Sequence, residues 1–454
     1  MSERATILKH AVTVLAGQLA IMAFGVTDTV VAGRHSQEAL AALSIGSAVF
    51  ISVNVALMGV LQALLPVWAE QRGAAHSHQL GASVRQSLYV CGAACVIGMF
   101  ILLSPDALLR WTNVPDELRG DVRAYLNVLA FGLPPALLFR IYSTLNQSLG
   151  YPQLVTWLQV ASLLIKIPLS IWFTFGGAGI APQGAVGCAW ATLVVNYSLM
   201  VCGVLMLRTQ RMYAPLQLWA PMERPDWQQL GRFLRLGIPA GLSILVEVTS
   251  FTLMALFIAR QGTLAAAAHQ ILANVAAVVY MVPLSLAIAT SARVSYWRGA
   301  GNEQTASNVA SLGFRMAAGM GVLLTALLLL SRHSIAALYS TDPTVTALAG
   351  SLLLWVAAYH LPDSVQTLCI FVLRSYRITI APFLVYGVML WGGGLAGGYW
   401  LAYHGAFGWG PFNSPAPFWA SSAAALAVTA VVFSALLASA TREHAAQTTH
   451  SASQ

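Results

Sequence analysis

The 454-residue chain reads as an all-α polytopic membrane protein with twelve transmembrane helices in two six-helix lobes related by an internal repeat. Three observations predict this. Apolar residues make up 58% of the sequence and charged residues only 8%, too few charges to clothe a soluble surface, where about 25% is usual. Twelve apolar runs reach the length of about 20 residues that a helix needs to cross a hydrocarbon layer. The second half of the chain also repeats short patterns of the first at a nearly constant offset.

The spans are expected at 11–33, 41–66, 84–104, 122–146, 152–175, 184–207, 234–259, 267–292, 309–331, 345–373, 380–403 and 417–440. No strand-period segment competes with them, and the loops are too short to hold a soluble domain. The first span is too long for a signal peptide and is followed by eleven more. The longest polar connection, from Arg208 to Arg232, divides the spans six and six. This gives an N-terminal lobe over 1–207, a cytoplasmic linker over 208–233, a C-terminal lobe over 234–440 and a cytoplasmic tail over 441–454.

Arginine and lysine set the orientation. With a cytoplasmic N-terminus, fifteen fall on the inner side, among them Arg72, Arg85, Arg298 and Arg374, and six on the outer side, among them Arg34, Arg110 and Arg260. Arg140 and Lys166 remain inside spans. This bias predicts that both termini are cytoplasmic. The formal charge of +8 is thereby accounted for by topology, and charges this sparse build no nucleic-acid face. The five cysteines lie in apolar runs without zinc spacing, so neither a disulfide framework nor redox chemistry is expected.

At an offset of 226, Arg34 aligns with Arg260, Ala41-Ala42 with Ala267-Ala268, and Arg72-Gly73-Ala74 with Arg298-Gly299-Ala300. At 228, Trp111-Thr112 meets Tyr339-Ser340, Pro115 meets Pro343 and Leu133-Pro134 meets Leu361-Pro362. Six spans per half give both halves one orientation, which suits a wall around a central cavity.

Carboxylates at membrane depth are expensive and mark function by default. Three occur within spans: Asp28, Glu247 and Asp363. Asp363 follows Pro362, which frees a carbonyl one turn earlier, and Tyr359 lies four residues before it on the same helix face. A carboxylate, a phenol and a freed carbonyl suit Na+ or a proton. Glu247 lies in the same half. Two carboxylates in an apolar cavity repel when both are ionised, and a bound cation or proton relieves that repulsion. Such a pair can couple an ion gradient to a conformational change. Each acid could alternatively be a structural ion-pair member. Lys166 is the one lysine within a span; it either pairs with Asp28 or reaches the membrane boundary. Phe251, Tyr142, Trp157 and Trp172 are candidates to line a cavity for flat cations, with packing as the alternative at each. His269 and His360 could carry protons or simply be hydrogen-bonded. The glycines at 392–394 and 397–398 favour close helix packing.

The chain resembles the multidrug and toxic compound extrusion (MATE) family, specifically its NorM-like bacterial branch, from roughly Leu15 to Ala440. The resemblance is carried by VTDTVVAGR at 26–34, ALAALSIG at 39–46, MGVLQALLP at 58–66 and GAVGCAWAT at 184–192, with LGIPAGLSILVEVTSF at 236–251, AAAHQILAN at 266–274 and MVPLSLA at 281–287. It implies twelve helices in two lobes, alternating access, and export of small organic cations and other drugs in exchange for Na+ or H+. It also implies a bacterial inner-membrane location, no enzymatic activity and no cofactor beyond the coupling ion. By the same resemblance Asp28 serves coupling and substrate release, while Glu247, Asp363 and Tyr359 match a C-lobe Na+ site. Where many relatives carry Asn or Asp in the fifth helix, this chain has Lys166 and Ser170. An ammonium there takes a cation's place and argues against an N-lobe Na+ site. A monomer suffices, since two lobes close their own pathway. The alternatives are a lipid-linked sugar flippase, which would want a cationic cavity for pyrophosphate, and a membrane-embedded transferase, which would want catalytic carboxylates in the loops.

Overall fold

The computed structural model describes residues 2–106, 116–177, 179–405 and 410–452. Among them, twelve helical segments are long and apolar enough to cross a membrane, and the only β feature is an isolated bridge between Gly177 and Ile180. Arg110 and the matches at Trp111-Thr112 and Pro115 lie outside the described residues.

The chain forms two compact units, Thr13–Gly241, and Leu242–Gln454 together with Met1–Val12. The sequence boundaries place the first twelve residues in the N-terminal lobe. Their grouping with the second unit has a visible cause in Glu3, whose carboxylate accepts from Arg293 Nε at 2.9 Å and Nη2 at 2.5 Å and from Trp297 Nε1 at 3.2 Å.

In the first unit the helices are α1 (Glu3–His35, continuing from the other unit), α2 (Gln37–Gln62), α3 (Leu65–Gly73), α4 (Ser77–Leu103), α5 (Asp116–Leu149), α6 (Pro152–Phe175) and α7 (Ala185–Thr209). Ser36 opens α2 by accepting from the Ala39 N–H at 3.0 Å. The second span divides between α2 and α3, with Pro66 in the first turn of α3, where its missing N–H costs nothing. Helix α5 is the axis of this unit and packs against α2, α4 and α7. The expected linker is not a loose connection. A 3-10 turn, Arg211–Leu216, buries Tyr213 and Leu216, and the Tyr213 hydroxyl donates to Asn146 Oδ1 at 2.7 Å. Arg85, one of the arginines on the expected inner side, is a buried residue of α4 that donates to the Gln217 carbonyl at 2.5 Å and to the Glu223 carboxylate. Gln86 donates to the Arg224 carbonyl and accepts from the Asp226 N–H.

In the second unit the helices are α8 (Trp227–Ala259, which starts in the first), α9 (Thr263–Gly299), α10 (Glu303–Tyr339), α11 (Pro343–Ser375), α12 (Ile380–Tyr386), α13 (Gly397–Tyr403) and α14 (Ala416–Ala452). A π-helical segment, Gly387–Ala396, joins α12 to α13 as one span. Asp342 caps α11 by accepting from the Thr344 N–H at 2.8 Å, with Pro343 at the first helical position. Asn302 does the same for α10. Helix α11 packs against α9, α10 and α14 and is almost continuously buried in its second half. A built Cβ at Gly398 would stand 2.8 Å from Phe418 Cα, and one at Gly394 3.3 Å from Ser422 Oγ, so this span meets α14 through its glycines. Helices overrun the expected spans by several residues because capped polar turns continue beyond the apolar run. Outward-facing apolar side chains such as Phe100 (72% exposed) and Leu330 (85%) suit a lipid solvent.

The repeat is visible in local structure. After Arg72-Gly73-Ala74 the chain turns through Ala75 at φ 57°, and after Arg298-Gly299-Ala300 through Gly301 at φ 74°. Arg72 Nη1 donates to the Ser148 carbonyl at 3.2 Å, and Arg298 Nη1 donates to the Ser375 carbonyl. Those carbonyls end α5 and α11, which are followed by matching turns through Gly150 (φ 78°) and Arg377 (φ 63°).

Candidate functional site

The second unit holds a cavity lined by Glu247, Ser250, Phe251 and Met254 of α8, Tyr359 of α11, Tyr386 and Leu390 of the π-containing span, and Ser422 and Leu426 of α14. Three of the sequence candidates, Glu247, Phe251 and Tyr359, therefore share one chamber. Phe251, Tyr359 and Trp419 contact one another edge to face at centroid distances of 5.9–6.1 Å, a rigid aromatic wall.

Asp363 is not among the lining residues; it sits behind Tyr359 on the same helix and is 1% exposed. Its Oδ1 accepts from Gln366 Nε2 at 2.9 Å, and Gln366 Oε1 accepts from the Tyr386 hydroxyl. The chain Tyr386–Gln366–Asp363 thus links the cavity wall to the buried acid. Its Oδ2 is buried without a hydrogen-bond partner, and His360 Nδ1 lies 3.6 Å away, too far for a hydrogen bond; both His360 ring nitrogens are unpartnered as well. Glu247 interacts electrostatically with Asp363 and with Arg374. Gln366 and Tyr386 carry no charge pattern that a sequence scan would mark. Arg374, one of the arginines on the expected inner side, is 3% exposed, with its guanidinium 4.3 Å from the Phe371 ring centre. The turn before Pro362 is supported by Thr325 Oγ1, which donates to the Ala357 carbonyl at 3.0 Å.

The expected Na+ ligands are two acids and a phenol, and among the described residues no group of three or more His, Cys, Asp or Glu is placed to hold a metal. A buried Asp363 oxygen without a hydrogen bond, on an acid that interacts electrostatically with Glu247, can take a monovalent cation or a proton.

Asp28 and Lys166 lie in the first unit, and the pairing that the sequence leaves open is made. Lys166 Nζ stands 2.7 Å from Asp28 Oδ1, and also donates to Thr192 Oγ1 at 2.6 Å and the Cys188 carbonyl at 3.1 Å. Ser170 Oγ donates to Asp28 Oδ1 at 3.0 Å. The ammonium is fully buried with a partner for each of its three protons. Tyr142, Trp157 and Trp172 do not line this cavity. Tyr142 is buried in the core of the first unit, Trp157 is 71% exposed, and Trp172 donates its indole N–H to the Gly177 carbonyl. His269 packs against Trp419 at 5.7 Å.

The family model MatE matches residues 14–172 and 239–400, one match in each half of the chain. The chain belongs to this family. Among curated relatives, a probable multidrug resistance protein NorM of Aromatoleum aromaticum is 38% identical, the match covering 94% of this chain and 92% of the relative. The multidrug resistance protein MdtK of Pectobacterium atrosepticum is 33% identical over 93% and 92% of the two chains. Among solved structures, the eukaryotic MATE transporter AtDTX14 superposes with a TM-score of 0.85 at 18% identity, covering 98% of this chain and 99% of that one. The MatE chain is a multi-pass membrane transporter of the multidrug efflux type and not an enzyme.

Proposed function

We propose that the chain exports small organic cations and other drugs across the bacterial inner membrane, as a monomer with both termini cytoplasmic, by alternating access in exchange for Na+ or H+. The observation that carries the coupling is the acid pair of the second unit. Glu247 faces a cavity, Asp363 holds an unpartnered oxygen at full burial, and the two interact electrostatically. Two buried anions that interact repel unless a cation or proton enters, and Arg374 offsets only part of that repulsion. Ion entry therefore stabilises one arrangement of α8 against α11, and ion loss favours the other. The aromatic wall beside Glu247 suits the flat face of an organic cation. Ion and drug then compete for one negative chamber, which is the requirement for exchange. Asp28 plays a different part, since Lys166 already neutralises it. The test is efflux of a fluorescent organic cation from liposomes under an imposed Na+ gradient or pH gradient. Efflux should be lost in Asp363→Asn and Glu247→Gln. Na+-driven or pH-driven efflux names the ion. Efflux that survives both substitutions and is abolished by Asp28→Asn would move coupling to the first unit.

A further inference from the structure

Helix α7 has 25 residues, about 37 Å at 1.5 Å per residue, so it outruns a hydrocarbon layer of about 30 Å and its last turn reaches headgroup depth. Val201, Val204 and Leu205 are 48%, 41% and 54% exposed, and Arg208 follows them by seven, four and three residues on the same helix face. A stripe suited to lipid chains therefore ends in an exposed guanidinium. Trp219 stands beside it. Arg208 Cζ lies 5.8 Å from the indole ring centre, and the indole N–H donates to the Leu207 carbonyl at 3.5 Å. Trp219 is 57% exposed, yet its place in the chain is fixed: Leu218 packs on the core of the first unit, and the Gln217 carbonyl accepts from Arg85. Arg211, exposed as well, follows Arg208 by three residues. Neither arginine makes an ion pair among the described residues. The two acids of the segment are engaged elsewhere, Glu223 with Arg85 and Asp226 with the N–H groups of Gln228 and Gln229.

We propose that Arg208, Arg211 and Trp219 seat the phosphate of an acidic phospholipid, such as phosphatidylglycerol, with an acyl chain lying along Val201, Val204 and Leu205. A guanidinium packed by its face on an aromatic ring keeps its N–H edges free, and those edges match phosphate oxygens in pairs. Arginines at the membrane surface attract anionic headgroups, and here two of them are close in sequence and lack a protein counter-ion. The cation over the indole also takes the face that a choline group would use, so a zwitterionic headgroup is not matched. The exposed stripe below accounts for the hydrocarbon part, which a free phosphate would leave unused. The seat belongs to the first unit alone, and it depends neither on the export reading nor on which leaflet it faces.

The test uses the full chain, delipidated in detergent and titrated with palmitoyl-oleoyl phosphatidylglycerol or the matching phosphatidylcholine. Native mass spectrometry then counts the bound lipids. At least one phosphatidylglycerol should bind about tenfold more tightly than phosphatidylcholine, because the charge-assisted bonds go to an anion without a neighbouring ammonium. Arg208→Gln combined with Arg211→Gln should remove one tight phosphatidylglycerol from the count, and size-exclusion profiles check that the double variant is folded. A phosphatidylglycerol carrying a diazirine in its acyl chain gives a readout on the unmodified protein. Its label, mapped by peptide, should fall within residues 201–219 and should vanish there in the double variant. Equal affinity for the two lipids, an unchanged count in the folded double variant, or no label within 201–219 would each overturn the proposal. Displacement of the tight phosphatidylglycerol by an equal concentration of inorganic phosphate would overturn it too, leaving a free-phosphate site.

Discussion

Lys166 and Asp28 stand 138 residues apart in sequence, in a contact that uses every proton of the ammonium. Removing one partner of a buried pair strands the other charge, which typically costs about 3–5 kcal/mol, whereas replacing both by apolar residues is often neutral. Lys166→Met should therefore sharply lower the thermal midpoint of the purified protein, and adding Asp28→Leu should restore most of it. If the double variant is no better than the single, the pair is not the source of the loss. At the acid pair of the second unit the prediction concerns activity, not stability. Asp363→Asn keeps the shape and the hydrogen bond from Gln366, so it should fold with little change in midpoint while efflux fails. The three acids were legible as exceptions to the cost of charge in a membrane. Gln366, Tyr386 and the buried position of Arg374 were not legible. Neutral side chains leave no exception to notice, and an arginine near a span end reads as a loop arginine until the fold closes over it.

At the scale of elements, the segment 211–226 is held to α4 by a closely fitted backbone contact, an ion pair and hydrogen bonds of Arg85 and Gln86. A Cβ on Gly81 would stand 1.6 Å from the Leu216 carbonyl oxygen, a backbone atom that cannot swing aside. Gly81→Ala should destabilise the first unit by about 1–3 kcal/mol, the usual cost of overpacking, read as a lowered thermal midpoint. The ion pair makes the docking sensitive to acid. The hydrogen bond from Arg85 holds the Glu223 carboxyl below its ordinary value of 4.5. A depressed folded-state value contributes stability that is fully present above the unfolded value and is lost as pH falls through the folded one. Amide exchange over 211–226 should therefore be slow near neutrality and speed up below about pH 4. Glu223→Gln should remove that step, and its persistence would place the titrating group elsewhere. The sequence marked this stretch as polar, proline-bearing and long, which are the signs of a loose linker. Its anchors are ordinary residues, Tyr213 and Gln86, whose partners belong to other helices.

For the whole molecule, the two halves keep the same local solutions at the same offsets, including two arginines that cross to the carbonyl ending a later helix. Arg72→Ala and Arg298→Ala should then lower stability by comparable amounts, about 1.5–3 kcal/mol each for a hydrogen bond from a charged donor. A large inequality between the two midpoints would mean that the repeat is one of pattern and not of energetics. What the halves do not share is charge: the second carries Glu247 and Asp363, and the first carries a neutralised Asp28 and an Arg140 that forms no ion pair among the described residues. Composition, run length and the repeated motifs were enough to determine twelve helices and two halves, because hydrocarbon requires each backbone group to be satisfied within its own helix and leaves few alternatives. The meeting of Lys166 with Asp28 and the shared cavity of Glu247, Phe251 and Tyr359 were decided only by tertiary structure. Those depend on which face each helix turns to its neighbours, and helical sequence restricts that face without naming what lies opposite.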